Sequence, residues 1–201
     1  ADGKFYYHDN DIGEQYTEAF GMNRWYHVAV TIDSLNNGVL YVNGEALKAF
    51  STTVRPTASG KFSIGQDWDG GTATNYFSGM VDEVAVWSVA RTQAQIRESM
   101  NRTLTGAELG LRAYWQFNDG PGSTVLTDAS GNDLHGTLVD MEPATDWVTS
   151  TVAIGTSHTE YVTGGQVAFP GTNITLDFSY VIGTVMFVVT HVPAAPDPAP
   201  P

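Results

Sequence analysis

The chain has 201 residues, enough for one large all-β domain or for a sandwich with a smaller partner, and either can bury a sizeable core. Its 22 Asp and Glu against 9 Lys and Arg give a formal charge of −13, which repels phosphate backbones and anionic lipid surfaces, so no nucleic-acid partner is expected. The absence of cysteine excludes disulfides, thiolate catalysis and Cys-based zinc or iron–sulfur sites, while 21 glycines and 11% aromatic residues suit short strands joined by tight turns.

Apolar and aromatic runs separated by turn residues occur at Phe5-Tyr6-Tyr7, Trp25 to Ile32, Val39 to Val42, Ala46 to Phe50 and Phe62 to Ile64. Strands at this spacing indicate a sandwich or barrel. Asn43-Gly44 sits between Leu40-Tyr41-Val42 and Glu45-Ala46-Leu47, where a two-residue turn needs positive φ at both central positions, and this predicts a β-hairpin. After Trp87, Thr92 and Gln95 have capping-box spacing and Ile96 and Met100 share a face, which predicts a short helix near residues 92–101. Thr105 and Glu108 repeat that spacing before Gly110, predicting a brief turn ahead of a strand from Leu111 to Phe117. Turns rich in Gly, Asp and Asn then continue as far as Trp147.

From about Thr151 the segments Tyr161-Val162, Gln166 to Phe169, Ile174 to Phe178 and Val181 to Val192 read as strands with almost no charge, a second small β unit. The stretch Val181 to Val189 is interrupted by Gly183 and Thr184 and is too short to span a bilayer, so no membrane insertion is expected. Pro193 to Pro201 holds five of the nine prolines and reads as an extended linker within a longer parent protein. No charged-then-apolar leader opens the chain at Ala1-Asp2-Gly3-Lys4, which places any signal peptide before it.

Three consecutive segments resemble the laminin-G-like, concanavalin A-like superfamily, which includes the pentraxins. The first is Trp25-Tyr26-His27-Val28-Ala29-Val30-Thr31 with Gly38-Val39-Leu40-Tyr41-Val42-Asn43-Gly44. The second is Phe62-Ser63-Ile64-Gly65-Gln66 with Phe77 to Trp87, then Ala90-Arg91-Thr92 and Ile96. The third is Ala113 to Gly120, Asp128-Ala129-Ser130-Gly131-Asn132 and His135-Gly136-Thr137-Leu138. The resemblance implies an all-β fold, an antiparallel β-sandwich of the concanavalin A-like jelly-roll kind with one short helix, followed by a small additional β segment. The expected division is a jelly-roll domain over 1–150, a small β unit or edge-completing strands over 151–192 and a linker over 193–201.

One departure stands out: the family's earlier strands should lie well before Trp25, yet only 24 residues precede it. The domain therefore reads as N-terminally truncated: the missing strands are removed, or supplied by another chain or segment, or the third motif belongs to a permuted arrangement, and an open sheet edge is left for residues 151–192 or a strand from a neighbouring molecule to cover.

The same superfamily contains glycosidases, in which two acids on one strand face cleave a sugar linkage. Here the best carboxylate strand, Val81 to Trp87, holds Asp82 and Glu83 side by side, and adjacent strand residues point to opposite faces. No enzyme is expected. The resemblance also places Gln66-Asp67-Trp68-Asp69-Gly70 near the loop where pentraxins hold calcium, making Gln66, Asp67 and Asp69 candidate calcium ligands; the alternative is an exposed acidic turn. Trp68, flanked by aspartate and glycine, is the aromatic expected to stack on a sugar face, with Asp67 and Asp69 beside it. Trp25, Trp87 and Trp115 lie in apolar runs and read as core.

A second oxygen-rich cluster, Asn118 and Asp119 with Asp128 and Asn132, offers ligands for another calcium ion. Its alternative is that Asp128, Ser130 and Asn132 fold their own turn through side-chain to backbone bonds. The five histidines show no metal-ligand spacing. Two functions follow. The first is a non-catalytic extracellular binding or adhesion module, secreted or on a cell surface, that recognises a glycan or another surface ligand. The second is a structural spacer or subunit of a surface assembly that exchanges strands with neighbouring copies or other domains.

Overall fold

A computed structural model describes residues 3–9, 13–53, 62–69, 71–152, 154, 156–162, 165–168, 175–178 and 185–191. Its described strands pair antiparallel throughout, and one short helix accompanies them, so the fold is all-β. Residues 1–97 and 104–150 form one compact unit, and residues 98–103 with 151–201 form a second.

In the first unit β1 (Lys4–Asp9) pairs with β2 (Gly13–Ala19). Alternation along β1 puts Phe5 and Tyr7 on one face. The Phe5 ring meets Phe20 and Tyr26 at centroid distances of 5.5 Å each, and Tyr7 stacks on Phe50 at 4.5 Å. β2 carries no strand signal in its sequence: Gly-Glu-Gln-Tyr-Thr-Glu-Ala is polar and lacks an apolar alternation.

β3 (Val28–Ile32), β4 (Asn37–Val42) and β5 (Glu45–Ser51) form a three-stranded sheet with β4 in the middle. β4 has a paired strand on each edge, and its Leu40, Tyr41 and Val42 are buried in succession. The β4–β5 turn takes the expected form, with φ of 50° at Asn43 and 75° at Gly44. The helix α1 (Gln93–Ser99) begins at the expected capping box: the Thr92 N–H donates to Gln95 Oε1 at 2.9 Å, and the Gln95 N–H to Thr92 Oγ1 at 3.3 Å. Gln93 Nε2 and Arg97 Nε both donate to the Gly44 carbonyl, at 2.8 and 3.0 Å, so the helix closes onto the hairpin turn.

Two expectations fail locally. Phe62 to Ile64 is not a strand; the chain bends at Ile64-Gly65, where Gly65 adopts φ 85° and its carbonyl accepts the Phe77 N–H at 2.8 Å. The segment read as an acidic loop is instead β6 (Asp67–Asp69), paired with β7 (Thr72–Thr74).

β8 (Val84–Trp87) pairs with β9 (Leu111–Trp115), and this ribbon separates two core clusters. Val84 faces Trp115 and Val86 faces Ala113 on one side, packed with Leu126, while Ala85 faces Tyr114 on the other. A register shift between Val86 and Trp87 pairs Trp87 with Leu111, so Leu111 joins Trp87, Tyr114 and Leu104 on the second side although Ala113, two residues further on, faces the first. β9 ends where Phe117 takes φ 55°, and β10 (Val125–Leu126) pairs with β11 (Gly136–Thr137). In the second unit β12 (Thr156–Val162) pairs with β15 (Val185–His191), and β13 (Gly165–Ala168) with β14 (Thr175–Phe178). Residues 193–201, read as a linker, lie outside the described residues.

Candidate functional site

Asp128 is a buried carboxylate, 6% exposed, beside the end of β9. Its Oδ1 accepts the Tyr114 and Ser130 N–H groups, each at 2.9 Å. Its Oδ2 accepts the Ser130 hydroxyl at 2.9 Å and the Leu134 N–H at 3.0 Å. The carboxylate thus extends the β9 ladder where the backbone turns away, and the Ala129 N–H completes it by donating to the Tyr114 carbonyl at 2.7 Å. Burial opposes ionisation of Asp128, but the N–H groups of Tyr114, Ser130 and Leu134 and the Ser130 hydroxyl outweigh it and hold the carboxyl down to about 2.

The other members of this cluster are similarly engaged. Asn132 Nδ2 donates to the Arg112 carbonyl at 3.2 Å and to Ser130 Oγ at 3.0 Å. Asp119 accepts the Thr127 N–H at 3.0 Å and also the Thr127 hydroxyl. A carboxylate has about four lone-pair positions, and at Asp128 all are taken by donors. A calcium ion bound there would have to displace them, so the residues present do not fit one. Among the described residues no group of three His, Cys, Asp or Glu is arranged to hold a metal. His135 belongs to the same turn and was missed: its Nδ1 accepts the Asp128 N–H at 3.0 Å, a role that gives no metal-like spacing in sequence.

Phe117, Asp119 and Thr127 help line an open recess of ≈ 200 Å³ beside this turn. That is below the size of an ordinary small-molecule pocket.

The Val81 to Trp87 carboxylates sit differently from the expected strand. β8 starts only at Val84, and Glu83 adopts φ 54°, so simple alternation does not govern the pair. Asp82 Oδ1 accepts the N–H of Glu83 at 2.9 Å, and the Tyr114 hydroxyl donates to Glu83. Burial raises the Glu83 carboxyl, the Tyr114 hydrogen bond works against that, and the Asp82 charge adds to it. Tyr114 is raised in turn, by burial and by Glu83. Tyr114 is 1% exposed, and its oxygen also accepts the Leu104 N–H at 3.1 Å, so this arrangement ties β9 to the segments on either side of α1.

Asp67, Trp68 and Asp69 lie on the β6–β7 hairpin with Thr74, Ala73 and Thr72 as their respective partners. The side chains of Asp67, Trp68 and Asp69 lie outside the described residues, while Gln66 is half-buried and its carbonyl accepts the Ser63 hydroxyl at 3.4 Å. Directly after the hairpin come Tyr76 and Phe77, 64% and 58% exposed. Sequence reading passed over both: Phe77 falls inside an apolar motif, where an aromatic residue is ordinarily read as core. Of the tryptophans expected in the core, Trp115 is buried, while Trp25 and Trp87 are half-buried.

Within this all-β class, residues 2–97 match the family described as the concanavalin A-like lectin/glucanases superfamily. The third motif, from Ala113 onward, lies outside the matched residues yet supplies β9, the partner of β8. Among solved structures, the chain is similar to a Bacteroides ovatus protein described as a "putative carbohydrate binding protein", at 30% identity and a TM-score of 0.53. The match covers 63% of this chain and 38% of that one. An S-layer domain-containing protein of Clostridium thermocellum matches at 28% identity and a TM-score of 0.36, over 43% of this chain and 45% of that one. The chain thus spans less than half of either. No curated protein matches. Among the described residues no helix is long and apolar enough to cross a membrane.

Proposed function

We propose that this chain is a non-catalytic carbohydrate-binding module of a larger secreted or cell-surface protein. The observation that carries this reading is the likeness, at 30% identity and a TM-score of 0.53, to the Bacteroides ovatus protein whose description is carbohydrate binding. The match of residues 2–97 to a superfamily of lectins and glucanases supports it. Glu83 is tied to the buried Tyr114 and Asp82 to the Glu83 backbone, a structural use of the pair that supports binding over hydrolysis by two carboxyls flanking one linkage. Calcium held by Gln66, Asp67 and Asp69 is the cofactor this reading carries.

A glycan array probed with the fluorescently labelled chain, with and without millimolar calcium, tests the proposal. Retention on at least one glycan class is expected, with no release of reducing ends from the retained polysaccharide. A blank array overturns the binding reading. Reducing-end release that is lost in Glu83→Gln overturns the non-catalytic one. A second reading, strand exchange between chains, is favoured by β3, the outermost strand of its sheet, where Val28 and Val30 are each 41% exposed. Its signature is a mass above 21.7 kDa in solution by light scattering.

A further inference from the structure

We propose that Tyr76 and Phe77 form the stacking surface of this module and that its ligand is a neutral glycan rather than an acidic one. This inference rests on the carbohydrate-binding reading and specifies the residues and the ligand class.

The two rings follow directly on β7 in an irregular segment. Asn75 takes φ 50°, which turns the chain out of the hairpin. The Phe77 N–H is then anchored to the Gly65 carbonyl at 2.8 Å, and the Tyr76 hydroxyl reaches the Ala73 carbonyl at 3.5 Å. Both rings are nevertheless more than half exposed. Exposed aromatic rings on an anchored backbone lose little conformational freedom on binding and present apolar faces that match the C–H face of a pyranose ring.

The Phe77 ring also has a defined seat. A Cβ placed on Gly79 would lie 2.7 Å from Phe77 Cζ and 2.8 Å from Cε1, so the ring packs onto the glycine backbone and a side chain there would push it from this seat. Gly79 is therefore a positioning residue for Phe77.

Charge selects the ligand class. Residues 62–90 contain the carboxylates Asp67, Asp69, Asp82 and Glu83 and no Lys, Arg or His. In calcium-free buffer, a sulfated or uronic-acid polymer brought to this segment meets like charge that no cationic side chain between residues 62 and 90 offsets. A neutral hexose polymer meets neither penalty.

The test is affinity electrophoresis of the whole chain in gels containing a soluble β-glucan, a galactomannan, polygalacturonate or heparin, followed by calorimetry on whichever polymer retards it. The wild type should be retarded by a neutral polymer and not by the two acidic ones. Tyr76→Ala and Phe77→Ala should each weaken that retardation by about tenfold or more, with thermal midpoints near the wild-type value because the rings are exposed. Phe77→Trp should retain binding. Gly79→Ala should weaken it by unseating the ring, and Leu109→Ala, at a residue 95% exposed and outside this segment, should change nothing.

Binding of a neutral polymer that survives loss of both rings overturns this inference and leaves the carbohydrate-binding reading standing. So does binding confined to the acidic polymers. No retardation by any polymer, together with a blank array, overturns both. Concentration-dependent association that Phe77→Ala abolishes, without glycan binding, would assign the rings to a protein contact instead.

Discussion

At the Asp128 turn every acceptor position of a buried carboxylate is filled by a donor from the same unit, whereas at Tyr76 and Phe77 more than half of each ring faces solvent. Both segments carry residues that chemistry could use. The difference lies in what remains available after folding: Asp128 spends its oxygens holding Tyr114, Ser130 and Leu134, while the two aromatics are anchored through their backbone and keep their faces open. An oxygen-rich sequence signature therefore marks structure here as readily as a ligand site, and satisfied hydrogen bonds are what tell the two apart.

The contrast predicts its largest effect at Asp128. Asp128→Ala leaves the N–H groups of Tyr114, Ser130 and Leu134 without their acceptor, and a loss of about 3 kcal/mol or more is expected in urea unfolding. Asp128→Asn should cost less, because it keeps the shape and one acceptor oxygen. A loss below about 0.5 kcal/mol in the Ala variant would mean that water replaces the carboxylate and that the turn is less closed than described.

The next effect is in pH. The Asp128 carboxyl has a folded value of about 2 against a reference of 3.8, so its contribution to stability is present above the reference value and disappears as pH falls through 2. Glu83 has the opposite sign: its folded value is raised, so its contribution is full below the unfolded value and is lost as pH rises through the folded one. Thermal midpoints between about pH 2 and pH 5 should therefore show an acid limb that flattens in Asp128→Asn, and Glu83→Gln should relieve the loss on the neutral side. An unchanged acid limb in Asp128→Asn would assign it to other carboxylates.

A smaller effect belongs to Tyr114→Phe. It removes the acceptor of the buried Leu104 N–H and the donor to Glu83, and about 1–3 kcal/mol of destabilisation follows from one unsatisfied buried group. The smallest is calcium: a thermal midpoint raised by millimolar calcium, and diminished in Asp67→Asn and Asp69→Asn, is expected if the hairpin carboxylates hold the ion.

Much of the first unit was legible because local rules and tertiary packing agree there. Asn43-Gly44 forces one turn type, and Thr92 with Gln95 forces one helix start. β2 was not legible, since its polar sequence gives no period, and β6–β7 was hidden because Asp-Trp-Asp between glycines resembles a loop until its pairing partner is known. At the candidate sites the sequence shows where oxygen-bearing side chains cluster, but not which of them are committed to the fold. That depends on Tyr114, His135 and Leu134, which lie 14, 7 and 6 residues from Asp128. Exposure of Tyr76 and Phe77 was equally invisible, because Phe77 shares its motif with the half-buried residues of β8.

The most direct test is an NMR titration of the isotope-labelled chain with an oligosaccharide of whichever neutral polymer it binds most tightly. The account predicts backbone amide shifts concentrated at Gly65, Asn75, Tyr76, Phe77 and Gly79, with the amides of Tyr114, Ser130 and Leu134 unmoved. Shifts centred on the Asp128 turn instead, with Tyr76 and Phe77 silent, would contradict it.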